Sequence, residues 1–246
     1  MVRTGNGESV LSRVVRVLEA FDPDHRALRV SEIARRADLH VATASRIVEQ
    51  LVGHGWLERD PRGVRVGVRM WELAVRSSPA LGLRETVGPF MEDLHAVVGQ
   101  HTQLGVRQGE EVLFLERRSA PGAVVNVTRI AGRLPLHVSS SGLVLLAHAP
   151  AEVQERVLSR PLPASGAAVT DPRRLRVLLS EVRRTGYVLS RGFIDRETAG
   201  IAAPVRGSTG EVVAALSVIV PNDENAVLAV PAVRTAARSA SRAMGA

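Results

Sequence analysis

The chain has 246 residues, 45% apolar and 23% charged, enough for one large domain or two modest ones, each with a buried core. It has no cysteine, which excludes disulfides, thiol nucleophiles and cysteine-based zinc sites, and no apolar run reaches the length that spans a bilayer. Its formal charge is +7, its cationic residues are all arginine, and the excess is spread over both halves, so a nucleic-acid reading has to rest on local placement rather than on the total.

At the start, "MVRTGNGESVLSR" lacks the apolar segment of a signal peptide, which predicts a soluble cytoplasmic protein, and "GNG" without a preceding strand reads as a tail rather than a dinucleotide loop. "SVLSRVVRVLEAF" spaces Val10, Leu11, Val14, Val17, Leu18 and Phe21 at helical intervals, with Ser9 as N-cap and "DPD" as the stop. "VSEIARRADL" predicts a short helix capped by Ser31, with Glu32 in its first turn and Ile33, Ala34 and Ala37 inward. In "ADLH" a left-handed Asp38 gives a tight turn into a third helix, on which Ala44, Ile47, Val48 and Leu51 face the core and Thr43, Arg46 and Gln50 face away. Gly53 or Gly55 ends that helix, and "WLERDPRGVRVG" reads as a hairpin with Trp56, Leu57, Val64 and Val66 inward. This order predicts a winged helix-turn-helix DNA-binding domain over residues 1–76. Its third helix is sized for a major groove, and Arg59, Arg62 and Arg65 on the hairpin are placed for flanking phosphates or the minor groove.

"VRMWELAVR" predicts a further short helix, "SSPALG" a break, and residues 77–99 a linker helix with Leu83, Val87, Phe90, Met91, Leu94, Val97 and Val98 inward. Residues 100–246 mix strands and helices, so the fold class is α+β. "HTQLGVRQ" and "EVLFLERR" form a hairpin about "GE", and "AVVNVTRI" reads as a third strand. "SSSGLVLLAHA", "AEVQERVLS" and "DPRRLRVLLSEVRRTG" read as helices, then "YVLSRG", "AGIAAPVRG" and "EVVAALSVIV" as strands. A closing helix is kinked or delayed by Pro231, and no internal repeat is present.

Four stretches in this order, "VSEIARRADLHVATASRIVEQLVGHGWLERD", "RLPLHVSSSGLVLLA", "GYVLSRGFIDRETAGIAAPV" and "GEVVAALSVIVP", resemble the IclR (isocitrate lyase regulator) family of bacterial transcription factors. The resemblance runs from Val10 to about Pro221. It implies an N-terminal winged helix, a linker helix and a C-terminal effector-binding domain of GAF-like fold that assembles dimers and often tetramers. It implies that His40, Thr43, Ser45 and Arg46 lie nearest the DNA, with Val41 and Ala42 standing where lysine and serine are common. It further implies an effector pocket floored by Ser139, Ser140, Ser141 and Gly142. The opposite wall falls to Asp195, Glu197, Gly200 and Ile201, and to Ser217 and Ile219 on the last strand. Helix-start N–H groups bind carboxylates. Gly200 and Ile219 replace the cysteine and serine common at those places, which predicts a roomier, more apolar pocket and an aromatic or otherwise bulky carboxylic acid, or a neutral derivative, as effector.

The resulting expectation is a ligand-responsive repressor of a catabolic operon, a homodimer or dimer of dimers on a palindromic double-stranded DNA operator, with no cofactor and no membrane contact. An activator of the same architecture, a non-DNA-binding small-molecule module and an enzyme remain the alternatives. No catalytic or metal site is expected. The seven histidines show neither an H-E-x-x-H motif nor a paired i, i+4 spacing, and "SSSG" lacks the G-x-S-x-G frame of a nucleophile elbow.

Overall fold

The computed structural model describes residues 8–22 and 24–246; the Gly5–Gly7 tail and Pro23, in the proposed "DPD" stop, lie outside the described residues. The chain divides into two compact units that meet at Pro79/Ala80.

In the first unit α1 (Val10–Glu19) starts at Ser9, whose Oγ accepts the Ser12 N–H at 3.0 Å. Strand β1 (Ala27–Leu28) is followed by α2 (Val30–Arg36) and α3 (Val41–Gly53). Asp38 adopts φ 50° in the turn between these two helices, and Gly55 rather than Gly53 supplies the left-handed residue after α3. Helix α2 begins one turn-edge earlier than a Ser31 cap allows. Arg29 is its N-cap residue, and the Glu32 carboxylate closes the first turn by accepting the Arg29 N–H at 2.8 Å. Val17, Ile33, Ala37, Ile47, Val48, Leu51, Leu57 and Val64 form the core, while Val10 and Leu11 of α1 stay 62% and 71% exposed. Strands β2 (Leu57–Asp60) and β3 (Gly63–Val66) make the wing, and β1 pairs with β3 to give the order β1-β3-β2. The third strand depends on Gly63: at φ 142° a Cβ there would lie 2.3 Å from the Leu28 carbonyl oxygen, so no side chain lets β1 come so close. Helix α4 (Val68–Ser77) follows.

The break expected at "SSPALG" is a single extended residue, Ser78, because Pro79 is tolerated in the first turn of α5 (Pro79–Val98). On α5 Leu83, Val87, Met91 and Leu94 are buried; Val97, expected inward, is 74% exposed. Strands β4 (His101–Gln108) and β5 (Glu111–Arg118) form the expected hairpin. "AVVNVTRI" is not a strand. Residues 119–132 run irregularly back to Phe114, which exchanges backbone hydrogen bonds with Ala131 and Gly132, and β6 (Arg133–Pro135) takes the edge position instead. After a 3-10 turn at Leu136–Val138 come α6 (Ser140–Ala147), α7 (Ala151–Leu158), α8 (Pro172–Thr185), β7 (Val188–Arg191), β8 (Thr198–Arg206) and β9 (Val212–Pro221). A second 3-10 turn, Glu224–Ala229, delays α9 (Val230–Ala243), and Pro231 sits in its first turn.

The six strands form one antiparallel sheet of order β6-β5-β4-β9-β8-β7. Period-two alternation gives it two faces. Ile201, Ala203, Leu216 and Val218 pack on α5 and α9, whereas Phe114, Ala202 and Ala215 pack on α6, α7 and α8. No described helix is long and apolar enough to cross a membrane.

Candidate functional site

The outer surface of α3 follows from its buried stripe. With Ala44, Ile47, Val48 and Leu51 inward, the 100° step per residue puts Ala42, Arg46 and Glu49 at the opposite pole, all exposed, with half-buried Thr43 and Ser45 on its flanks. His40 is the exposed N-cap residue. Arg46 has no ion pair among the described residues, and neither has the Arg62 guanidinium at the wing tip, where Asp60 Oδ1 accepts only the Arg62 backbone N–H, at 2.9 Å.

The other two wing arginines are engaged. Arg59 bonds Glu49 of α3, and Arg65 bonds Glu58 at 3.0 Å and approaches Asp60 at 3.8 Å. Glu58 is held below the usual carboxylate range, first because its Oε1 accepts the Val68 N–H at the start of α4 and then by Arg65. Arg65 is thereby part of the junction between wing and α4. Arg36 donates to Asp22 Oδ2 at 2.8 Å and to the Ala20 carbonyl at 3.0 Å, a strut within the unit.

In the second unit the start of α6 faces a cavity on the Phe114 side of the sheet. Ser139 is the N-cap; its Oγ accepts the Gly142 N–H at 3.1 Å, and the next N–H groups in the turn, at Ser140 and Ser141, have no helical acceptor. Ser139, Ser140, Ser141, Asp195, Gly200 and Ile219 all line the cavity. Four expected residues do not. Gly142 packs beneath it, where a Cβ would lie 2.3 Å from the Leu136 carbonyl oxygen. Glu197 is exposed, its N–H turned to Asp195 Oδ1 and its carbonyl to Asn222. Ile201 falls on the opposite face of the sheet, one residue out of phase with Gly200. Ser217 lies just behind the lining and holds it, accepting the Ser141 Oγ–H at 2.8 Å.

Gly200 does not enlarge the pocket as expected from its missing side chain. A Cβ there would lie 2.7 Å from Ser140 Oγ and 3.1 Å from Ser190 Oγ, so two serine side chains already occupy that space.

The remaining wall comes from residues not nominated by the sequence: Gln103 on β4, Phe114 on β5, Phe193 and Thr198 around β8, and Asn126 and Thr128 on the irregular segment. Gln103 carried no clear signal, since its strand "HTQLGVRQ" is largely polar, and nothing local marks Asn126 and Thr128 as cavity residues, because the contact that ties them to the sheet comes from Gln103. Gln103 Nε2 donates to Thr128 Oγ1, and Asn126 Oδ1 accepts both the N–H and the O–H of Thr128. Asn126 Nδ2 is buried with no acceptor. His101 fixes the start of the segment, with Nε2 donating to the Val124 carbonyl at 2.5 Å and Nδ1 accepting from Ser119. Among the described residues no cluster of metal-ligating side chains occurs.

A winged helix with unpaired arginines on its outward helix and wing tip, joined in one chain to a sheet domain with a donor-lined cavity, defines the class of one-chain DNA-binding regulators that carry a small-molecule sensor. Residues 10–61 match the IclR helix-turn-helix domain and residues 76–244 the bacterial transcriptional regulator IclR C-terminal domain. The chain belongs to the IclR family of transcriptional regulators. It is 30% identical over 227 residues to the HTH-type transcriptional regulator BhcR of Paracoccus denitrificans, covering 87% of this chain and 78% of that one. It is 26% identical over 250 residues to the HTH-type transcriptional repressor AllR of Klebsiella pneumoniae, covering 97% and 91%. Among solved structures, an IclR homolog of Microbacterium hydrocarbonoxydans complexed with 4-hydroxybenzoate is 50% identical and superimposes with a TM-score of 0.92 over 96% of this chain and 99% of that chain.

Proposed function

We propose that this regulator is a repressor whose effector is a monocyclic aromatic carboxylic acid of the hydroxybenzoate type, bound at the start of α6. The observation that carries this is the cavity's two-sided chemistry. Phe114, Val138, Phe193 and Ile219 offer apolar walls to a ring. The Ser140 and Ser141 N–H groups and the unpaired Asn126 Nδ2 offer donors to a carboxylate or phenolic oxygen. The complex of the Microbacterium homolog with 4-hydroxybenzoate supports the same class.

The cavity measures about 40 Å³. A benzene ring occupies a cavity of about 150 Å³, so an aromatic occupant must displace part of the wall. The wall best able to yield is residues 119–132, which has no ladder of its own and exposes Val125 and Val127 at 68% and 53%. Effector binding is therefore coupled to the packing of that segment, and by linkage the DNA and the effector change each other's affinity by one common factor.

The head is proposed to act as a homodimer, or a dimer of dimers, on a palindromic operator with half-sites about one helical turn apart. Leu11 and Trp71, 71% and 65% exposed on α1 and α4, support self-association of this unit. Fluorescence anisotropy on the DNA upstream of the gene, with and without 4-hydroxybenzoate, tests both readings. The expected result is operator binding at least about a thousandfold tighter than on shuffled DNA, released by saturating 4-hydroxybenzoate and insensitive to it in Asn126→Leu. Calorimetry showing no saturable binding of benzoate or its hydroxy derivatives would overturn the effector class.

A further inference from the structure

Arginine keeps its charge at any working pH and presents a planar fork of donors that matches phosphate-like oxyanions. Six arginines converge on the sensor unit. Arg183 and Arg184 come from the last turn of α8, Arg206 from the end of β8, and Arg234, Arg238 and Arg242 from α9. They surround a cleft of about 500 Å³. Its floor is small and apolar, with Gly186, Ala203, Pro204 and Ala237.

Few carboxylates answer these charges. Glu181 stands 3.8 Å from Arg184 in an exposed pair. Neutral groups hold the others: Arg183 donates to the Ala147 carbonyl at 3.0 Å, Arg206 to the Gly210 carbonyl at 2.8 Å and Arg242 to Ser239 Oγ at 2.9 Å. Arg234 lies 5.5 Å over the ring of Tyr187. Arg238 is exposed, with no hydrogen bond or ion pair among the described residues.

The ordinary account of arginines near helix ends is compensation of the helix dipole. It is too small here. The carbonyl ends of α8 and α9 each carry roughly half a negative charge. Adding Glu181, and allowing one further unit at Ala246, brings the negative side to roughly three against six arginines. The surplus is felt nearby: half-buried His148 has its imidazolium disfavoured first by burial and then by Arg206 and Arg183.

We propose that this cleft is a second ligand site, distinct from the cavity at α6, for a compact polyanion carrying two or more phosphate groups. A monocarboxylate leaves most of the surplus charge unmatched, whereas a diphosphate or triphosphate group meets it. The volume falls in the range of small-ligand sites, roughly 300–1,000 Å³, and its concavity suits a compact ligand better than the convex surface of a duplex. Guanidinium groups already tethered by carbonyls and an aromatic ring lose little freedom on binding.

The test is calorimetric titration of the full chain with inorganic tripolyphosphate, pyrophosphate and orthophosphate at constant ionic strength. The expected result is saturable binding near one anion per chain, with tripolyphosphate tightest and orthophosphate at least tenfold weaker. Arg238→Gln, which removes an exposed side chain with no partners and so leaves the fold intact, should weaken tripolyphosphate several-fold, and Arg206→Gln with Arg238→Gln at least tenfold. Arg46→Gln should leave it unchanged. Absence of saturable binding would overturn the proposal, as would binding that Arg46→Gln abolishes and Arg238→Gln does not, since the anion would then sit on the DNA-reading head. Loss of DNA affinity in Arg238→Gln without any change in polyphosphate binding would also overturn it, assigning the cleft to the DNA backbone.

Discussion

The DNA-reading surface and the effector cavity are built on opposite plans. Arg46 and Arg62 stand on local elements, one helix face and one turn, and project into solvent without an ionic partner among the described residues. The cavity has no such local origin: Gln103, Asn126, Ser140, Asp195 and Ile219 come from separate elements and meet only when the sheet is complete. A surface of the first kind changes affinity when altered and leaves stability alone, whereas a cavity of the second kind changes both together.

The largest expected effect tests the second half of that contrast. Phe114, 2% exposed, is at once core and cavity wall. Phe114→Ala should cost the sensor unit about 3–5 kcal/mol. It should abolish the effector response while leaving the melting of the head unchanged, as differential scanning calorimetry with anisotropy can establish. Loss of both transitions together would mean that the two units fold as one.

Arg46→Ala should cost about 1–3 kcal/mol on the operator and far less on random DNA, if Arg46 reads a base. Equal losses on both would reduce it to a phosphate contact. Arg62→Ala should weaken all sequences alike and lower the salt slope by about one unit. Arg59→Ala should have the smallest effect of the three on affinity, within about 1 kcal/mol, because its charge is already matched by Glu49 and the pair is exposed. A larger loss for Arg59 than for Arg62 would reverse the distinction between engaged and unengaged wing arginines.

The smallest effect is an acid one. Asp22 is held below the usual carboxylate range, mostly by Arg36 and then by His25. A depressed folded value gives stability that is complete above the unfolded carboxylate, about pH 4, and is lost as the pH falls further. Asp22→Asn should therefore lower the head's thermal midpoint at pH 7, and the gap to the parent protein should narrow below about pH 4. A gap that is constant with pH would assign the effect to lost packing rather than to charge.

The three helices and the hairpin of the head were legible in the amino-acid sequence, whereas β1, the Arg29 cap of α2 and the exposure of Val10, Leu11 and Val66 were not. The helical spacing of Ala44, Ile47, Val48 and Leu51, the left-handed tolerance of Asp38 and the "DPRG" turn are short-range constraints, whereas the pairing of β1 with β3 joins Ala27 to Arg65 and has no local signal. Alternation also marked β4, β5, β7, β8 and β9, and "SSSGLVLLAHA" read as the helix α6, because these signals are equally local. Which of the nominated residues face the cavity depended on the assembled sheet. Ile201 was lost to the far face by a single step of the strand, and Glu197 to solvent by a turn, since a period of two makes adjacent residues point apart. The tertiary structure also turned "AVVNVTRI" from an expected strand into a wall. With β6 taking the edge of the sheet, Thr128 bonds locally to Asn126 Oδ1 and accepts from Gln103 Nε2 on β4, and only this last contact lies beyond the reach of a pattern within eight residues.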